Sequence, residues 1–152
     1  MAESFVYVTF IRTTPEKLWE ALTKAEFTRQ YWFGITQDCT WQVGASWKMV
    51  LPDGRVADTG EVLESDPPRR LVLKWRNEFI PELKAEGFSR CVIEIEQAAD
   101  AVKLTITHSI DRTGSKFIQA VSNGWPTILS SLKSLLETGK PLEGIKPQPK
   151  GK

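Results

Sequence analysis

The most regular hydrophobic pattern of the chain lies in residues 115–138. Apolar side chains recur there at steps of three or four, the spacing of one helical face: Phe117, Val121, Trp125, Ile128, Leu132 and Leu135. An apolar face of this size needs a partner, and the preceding strands are the large surface available. The pattern therefore predicts a long amphipathic helix laid across a sheet, with a space between them. Pro126 predicts a kink or a helix restart near residues 122–126.

The N-terminal part of the chain predicts one strand followed by two short helices. Residues 5–12 are rich in β-branched and aromatic types, which favour a strand. Thr14 is a suitable N-cap and Pro15 a suitable first residue for the helix that follows. A second helical stretch covers residues 25–33, and Gly34 can end it.

Between the N-terminal helices and the long helix, the sequence alternates between strands and turns. Strand patterns occupy residues 40–51, as one or two strands broken at Gly44, and residues 55–65, 69–76, 88–97 and 101–110. Gly60 lies inside one of them, which indicates a bulge or a close approach of another backbone. Residues 77–87 have no strand period and predict a long, mobile connection.

These elements predict an α+β fold with one domain. A curved antiparallel sheet of about six to seven strands wraps around the long C-terminal helix, and two short helices follow the first strand. Residues 1–139 form this domain, which is large enough to bury roughly 70% of its unfolded surface. Residues 140–152 are rich in proline, glycine and lysine, so we expect a flexible tail.

Composition excludes several classes of function. Twenty basic and nineteen acidic residues leave a formal net charge of +1, which does not attract nucleic acid. Cys39 and Cys91 fit no metal-ligand spacing and suggest free thiols in a reducing compartment. No leader pattern opens the chain, and no apolar run reaches the roughly 20 residues of a membrane span. We expect a cytoplasmic protein without metal, cofactor, nucleic-acid partner or membrane insertion.

Three segments resemble one known family, the heat-shock protein 90 ATPase-activator-like family. They are TPEKLWEALTKAEFTRQYWFG at 14–34, DTGEVLESDPPRRLVLKW at 58–75 and GWPTILSSLKSLLETGKPL at 124–142. They are similar, in order, to the family's N-terminal signature, central strand pair and terminal helix. This family belongs to the START-like helix-grip superfamily, also called SRPBCC. The resemblance extends over about residues 5–142 and implies the helix-grip (START-like) fold.

The resemblance implies three kinds of function. The superfamily binds lipids, sterols, polyketides and other apolar molecules in its cavity, and a minority of its members are enzymes. The eukaryotic namesake is a two-domain co-chaperone, of which this chain resembles only the C-terminal domain. Non-enzymatic binding of a small hydrophobic or amphipathic ligand, between sheet and C-terminal helix, is therefore favoured. The alternatives are a chaperone-associated interaction protein in the stress response and a cyclase-like or hydratase-like enzyme.

His108 is the only histidine of the chain. In a strand over 101–110 it alternates with polar positions and shares its face with Leu104 and Ile106. Two interpretations follow from an inward imidazole. It is a polar anchor or acid/base group in a ligand cavity, or it is a buried histidine whose hydrogen bonds are satisfied within the core.

Asp58 is the second candidate polar group. It alternates with Val56 and Val62, so a regular strand places its carboxylate on the inner face, where it can anchor a ligand. A bulge at Gly60 instead turns Asp58 to solvent. Asp58 and His108 do not make a catalytic site on their own, because no activated nucleophile or orienting third group accompanies them. We therefore assign no catalytic residue.

Six tryptophans are many for a chain of this length. They either fill a thick core between helix and sheet or wall an apolar pocket. Ligand contacts are predicted for these residues, with Asp58 as a possible polar anchor: Trp32, Trp47, Trp75, His108, Phe117, Val121 and Trp125. The sequence leaves open whether the protein is a monomer or a homodimer, since an open sheet edge permits either.

Overall fold

The computed structural model describes residues 2–143, so Met1 and residues 144–152 lie outside the description. The strands are β1 Glu3–Ile11, β2 Thr36–Asp38, β3 Ser46–Val50, β4 Val56–Asp66, β5 Arg70–Asn77, β6 Ser89–Ala98 and β7 Ala101–Ile110. The helices are α1 Pro15–Thr23, α2 Ala25–Tyr31, α3 Pro81–Lys84 and α4 Lys116–Thr138. Most of the predicted tail therefore falls outside the described residues. Its first residues return to α4, where Leu142 N donates to Ser131 Oγ over 3.2 Å.

The seven strands form one antiparallel sheet in the order β1-β7-β6-β5-β4-β3-β2. Helix α4 lies against the concave face, and its apolar positions Trp125, Ile128 and Leu132 are buried there. The short helices α1 and α2 connect β1, at one edge, to β2, at the other. This arrangement confirms the predicted helix-grip fold and its strand number.

Local chemistry fixes both ends of α4. The hydroxyl of Ser115 accepts from the backbone N–H of Ile118 over 3.0 Å, and Gly139 ends the helix with φ = 87°. Pro126 lies inside the helix, which is continuous from Lys116 to Thr138. Of the two alternatives predicted near residues 122–126, a kink or a restart, the restart is therefore wrong. Packing of the apolar face keeps the helix continuous despite the missing N–H at proline.

The two N-terminal helices follow the sequence signals. The Thr14 hydroxyl accepts from the N–H of Lys17 over 3.2 Å, and Pro15 opens α1 as predicted. Helix α2 ends at Tyr31, two residues earlier than the pattern indicated. Gly34 follows with φ = 91° and completes the turn.

Two segments differ from their predictions. Residues 40–45 are not part of a strand; they form a turn in which Trp41 has a positive φ of 67°. Residues 77–87 connect β5 to β6 as predicted, but they contain the short helix α3, which the sequence analysis did not identify. Contacts with distant residues fix both conformations: Gly44 N donates to the carbonyl of Val62, and Glu78 N donates to the carbonyl of Ala57.

Gly60 marks a close approach between strands. A Cβ at this position would lie 1.6 Å from the carbonyl oxygen of Lys74 and 3.3 Å from the indole of Trp47. The register irregularities of β4 fall elsewhere, at Ala57 opposite β3 and at Leu63 opposite β5. The alternative of a bulge at Gly60 is therefore excluded, with consequences for Asp58 described below.

Within residues 2–143, no helix is both long enough and apolar enough to cross a membrane.

Candidate functional site

A cavity of about 600 Å³ lies between α4 and the part of the sheet formed by β3, β4 and β5. Its volume is within the range of roughly 300–1,000 Å³ that small-molecule sites occupy. The tryptophans therefore do not fill the space between helix and sheet. The lining comprises Trp32, Phe33, Ile35, Met49, Leu51, Pro52, Asp53, Arg55, Ala57, Asp58, Trp75, Asn77, Phe79, Ile80, Leu83, Phe117, Ala120, Val121, Gly124, Trp125 and Ile128.

One face of α4 forms the apolar side of this cavity. The residues that contribute are spaced three or four apart, as the helical period requires: Phe117, Ala120, Val121, Gly124, Trp125 and Ile128. None of them carries a charge. Gly124 has no side chain and no heavy atom within 4 Å of its Cβ position, so it leaves room in the middle of this face.

Four tryptophans form a continuous row of rings from the core to the cavity. The ring centroids of Trp47 and Trp75 are 4.5 Å apart, those of Trp75 and Trp125 are 5.8 Å apart, and those of Trp125 and Trp32 are 5.5 Å apart. Trp75 and Trp125 meet edge to face, a favoured geometry for aromatic pairs. The row stiffens the wall, since each ring is held by its neighbours.

Asp58 lies on the inner face of the sheet and is only 9% exposed. The register explains why: Met49 pairs with Asp58 and Val50 with Val56, so Ala57 is an extra residue in β4. This bulge turns Ala57 and Asp58 both toward the cavity while Val56 stays exposed. The expectation that a bulge sends Asp58 to solvent is thus reversed, because the bulge lies before Asp58 and not at Gly60.

The Asp58 carboxylate sits in an apolar environment with one strong partner. Trp75 Nε1 donates to Asp58 Oδ2 over 2.8 Å. Burial raises the pKa of Asp58 to about 6, and the nearby charge of Glu78 also raises it, whereas the bond from Trp75 acts in the opposite direction. No described residue donates a hydrogen bond to Oδ1.

His108 is completely buried behind the cavity wall. Its Nδ1 accepts from Trp125 Nε1 over 3.1 Å, and its Nε2 is 2.9 Å from Ser89 Oγ. The Ser89 hydroxyl donates to the backbone carbonyl of Trp75 over 2.9 Å. The proton of the neutral imidazole therefore lies on Nε2 and is donated to Ser89. Burial lowers the pKa of His108 to about 3, so the ring is uncharged at neutral pH.

The hydrogen bonds of His108 orient the cavity wall. They join Trp125 on α4 to Ser89 on β6 and to the backbone of Trp75 on β5. Trp75 in turn orients Asp58 on β4. The indoles of Trp75 and Trp125 are thereby held by their N–H groups, and His108 acts on the site through them.

Asn77 is a second polar residue of the inner wall, and the sequence analysis did not identify it. It pairs directly with Asp58 across β4 and β5. Its Oδ1 accepts from the backbone N–H groups of Phe79 and Ile80, over 2.9 Å and 2.7 Å. Asparagine side chains often accept hydrogen bonds from the backbone two or three residues later, so an asparagine at the end of a strand was the sequence signal for this turn.

The structure brings together most of the residues predicted as ligand contacts. Trp32, Trp75, Phe117, Val121 and Trp125 line the cavity, together with Asp58. Whether they bind a ligand stays a prediction.

Two predicted contacts differ. Trp47 is fully buried beneath Trp75, and its Nε1 donates to Gln37 Oε1 over 2.8 Å. His108 is fully buried behind Trp125. Neither lines the cavity, because an inner-face position does not distinguish a wall residue from one packed in the layer behind it. The predicted acid/base pair of Asp58 and His108 consequently does not face one space.

Residues missed by the sequence analysis come chiefly from loops. Phe79, Ile80 and Leu83 reach the cavity from the segment around α3, and Leu51 to Arg55 form a rim at the turn between β3 and β4. Their positions depend on long-range contacts that leave no periodic signal. Within residues 2–143, no cluster of three or more histidine, cysteine or acidic side chains has the geometry to hold a metal ion.

Comparisons with solved structures place this fold among known proteins. Protein MLL2253 from Mesorhizobium loti has a TM-score of 0.76 at 23% identity, over 89% of this chain and 97% of that chain. An HSP90 activator from Plasmodium falciparum has a TM-score of 0.71 at 22% identity, over 88% of this chain and 95% of that one. Aha1 from Colwellia psychrerythraea, whose solution structure is a dimer, has a TM-score of 0.72 at 21% identity, over 91% and 98% of the two chains.

At these identities the structural matches show the shared fold. No curated protein matches the chain. The family model described as Activator of Hsp90 ATPase homolog 1-like protein matches residues 12–137. That span is most of the chain and contains strands β2 to β7, the cavity wall and nearly all of α4, so this chain belongs to the Activator of Hsp90 ATPase homolog 1-like family.

Proposed function

We propose that this protein binds one small, mostly apolar molecule in the cavity between α4 and the sheet, without catalysing a reaction on it. The observation that carries the proposal is an apolar space of about 600 Å³ with a few polar groups in one wall. Small-molecule sites have this composition, in which apolar walls supply affinity and placed polar groups supply orientation.

The rigidity of the wall supports binding. The hydrogen bonds from Trp125 to His108 and from Trp75 to Asp58 hold both indoles in place before a ligand arrives. A preorganised wall loses little side-chain entropy on binding, which favours affinity. Catalysis has less support, because His108 does not face the cavity and Asp58 is the one acid/base group of its inner wall within the described residues.

Replacing Val121 by tryptophan tests the site. Val121 lies in the middle of the α4 face, so an indole there occupies part of the cavity. Nile red titration should show at least a tenfold loss of affinity in Val121→Trp. Asn123→Trp is the matched control: it adds the same ring to an exposed position of α4 and should bind like the wild type.

Circular dichroism and thermal unfolding of both variants verify the fold. Mass spectrometry of the purified wild type, native and then denatured, should also reveal a co-purified apolar compound that Val121→Trp lacks. Equal Nile red affinity in folded wild type and Val121→Trp would refute the cavity as the binding site.

A chaperone-associated role is the second candidate. It is favoured by the family match and by the Plasmodium falciparum HSP90 activator, since this fold spans 95% of that chain. The expected result is stimulation of Hsp90 ATP hydrolysis by the purified protein, with Val121→Trp as active as the wild type because the cavity is not involved. No stimulation at a tenfold molar excess would dispose of this role.

A further inference from the structure

Asp58 and Asn77 form the polar part of the inner cavity wall. They are directly opposite each other in the β4–β5 register, and both line the cavity. Directly paired residues of antiparallel strands have Cβ atoms roughly 4.5–5.5 Å apart on the same face. Their polar ends are therefore close enough to contact a single functional group of a ligand.

Asp58 offers a hydrogen-bond acceptor. Trp75 Nε1 occupies Oδ2, which fixes the orientation of the carboxylate and leaves Oδ1 without a described donor. A carboxylate in an apolar wall strongly favours a donor group, since burial without one costs free energy.

Asn77 offers a hydrogen-bond donor. Its Oδ1 faces the backbone N–H groups of Phe79 and Ile80, which also settles which atom of the amide is oxygen. Its Nδ2 has no hydrogen-bond acceptor among residues 2–143. The pair thus presents one acceptor and one donor side by side.

The charged residues nearby are already paired with other partners. Arg55 at the rim binds Asp53 over 2.7 Å, and its guanidinium lies 4.8 Å from the ring centroid of Phe79. Glu78 binds Arg76 over 2.6 Å and Lys84 over 3.1 Å. The α4 side contributes no charge. No cation of the described lining is therefore available for an anionic ligand next to Asp58.

We propose that Asp58 and Asn77 together recognise the polar end of the ligand as an uncharged group with a hydrogen-bond donor next to an acceptor. A carboxamide, a lactam and a hydroxy ketone have this pattern, whereas fatty acids and other carboxylates do not. The remainder of the ligand is apolar and contacts Trp75, Trp125 and Val121. This inference rests on the proposed binding function.

A series of probes with one apolar skeleton tests the pair. 2-Naphthamide offers a donor and an acceptor, methyl 2-naphthoate only acceptors, 2-ethylnaphthalene neither, and 2-naphthoate a negative charge. Competition against Nile red at pH 7.5 should rank the amide first, at least fivefold ahead of the ester and the hydrocarbon, with the carboxylate last. A site with buried polar groups rejects ligands that leave those groups unpaired.

Asp58→Asn should invert part of this ranking. The oxygen of the introduced amide keeps the bond from Trp75, so its NH₂ group turns to the cavity and the pair becomes two donors. 2-Naphthoate should then bind better than 2-naphthamide. Asn77→Asp, which retains the oxygen held by Phe79 and Ile80, should lower affinity for the amide at least fivefold without changing that for 2-ethylnaphthalene.

The outcomes separate this inference from the function on which it rests. If all four probes bind the wild type equally, lose affinity in Val121→Trp and still bind equally to Asp58→Asn, the cavity binds ligands and the pair does not select them. If no probe binds the wild type, both proposals are refuted. An amide preference that Asp58→Asn inverts supports both.

Discussion

Trp125 Nε1 donates a hydrogen bond to His108 Nδ1 over 3.1 Å, and this bond fixes the protonation state of the histidine. A charged imidazolium carries a proton on both nitrogens, and the proton on Nδ1 would point at the indole N–H of Trp125. Protonation of His108 would therefore break this hydrogen bond. The Ser89 hydroxyl accepts from His108 Nε2 and donates to the backbone carbonyl of Trp75. His108 is thus a structural group that orients the cavity wall from behind.

We predict that His108 and Asp58 have opposite effects on stability in acid. The pKa of Asp58 is raised from 3.8 to about 6, so within this range the folded state holds a proton that the unfolded chain has released, and stability falls as pH rises. The pKa of His108 is lowered from 6.5 to about 3, so the unfolded chain binds a proton first, and stability falls as pH drops. Between pH 4 and pH 6 the two contributions offset each other.

Urea unfolding of two variants from pH 4 to pH 6 separates these contributions. The free energy of unfolding of Asp58→Asn relative to wild type should increase with pH by about 1.4 kcal/mol per unit. For His108→Gln, which keeps a donor and an acceptor, the relative value should decrease with pH by a similar amount. Other acids, such as Glu78, are common to all three proteins and cancel in the differences. If the free energies of unfolding of both variants change with pH in parallel with that of the wild type, the shifted pKa values of Asp58 and His108 are contradicted.

Glycine at position 60 should be indispensable, unlike glycine at position 124. An alanine Cβ at Gly60 would overlap the Lys74 carbonyl, so Gly60→Ala should lose more than about 3 kcal/mol or fail to fold. The Cβ position of Gly124 is free and lies within α4, so Gly124→Ala should gain about 0.5–1 kcal/mol from helix propensity. Thermal unfolding measures both. Similar melting temperatures for the two variants would contradict this prediction, since they would mean that β4 and β5 move apart at Gly60 at little cost in free energy.

Glu86 should hold the segment around α3 over the cavity. Its carboxylate accepts from the Ser115 hydroxyl over 2.6 Å and from the N–H of Lys116 over 2.9 Å, at the N-terminus of α4. Burial alone would raise the pKa of Glu86, but these bonds outweigh it and the pKa is lowered. Glu86→Gln should therefore cost about 1 kcal/mol and open the segment more often, since a charged cap at a helix N-terminus is lost.

Hydrogen exchange of the amides in residues 79–87 measures that opening. The matched control is Glu82→Gln, which removes an exposed ion pair with Lys116 and should have little effect. Equal exchange in the two variants would assign the segment's stability to its apolar contacts instead.

Tyr31 carries a buried hydroxyl that has no hydrogen-bond partner among the described residues. Its ring is fully buried beside Trp32, and burial raises the pKa of the phenol. Tyr31→Phe should stabilise the protein by about 1 kcal/mol, because an unsatisfied polar group leaves the core. Tyr7→Phe, at a half-buried position of β1, should change stability little. A destabilised Tyr31→Phe would reveal a hidden partner for the hydroxyl.

The periodic elements of the fold were predictable because each depends on its own residues. The spacing from Phe117 to Leu135 specifies a helical face, and the alternation around Ile106 and His108 specifies a strand, in agreement with the structure. Caps at Thr14 and Ser115 are local signals as well, three residues from the groups they bind. Of the kink or restart predicted at Pro126, the restart was wrong, because helix packing outweighs a local breaking signal.

The sequence by itself therefore determined the helix-grip arrangement, the apolar face of α4 and the inward position of His108. Only the tertiary structure decided which inner residues face the cavity: Trp75 and Trp125 do, whereas Trp47 and His108 lie behind them. It also decided that Asp58 points inward next to Asn77. The physical reason is that periodicity reports the side of a strand or helix, whereas a bulge at Ala57 and the stacking of rings are set by distant partners.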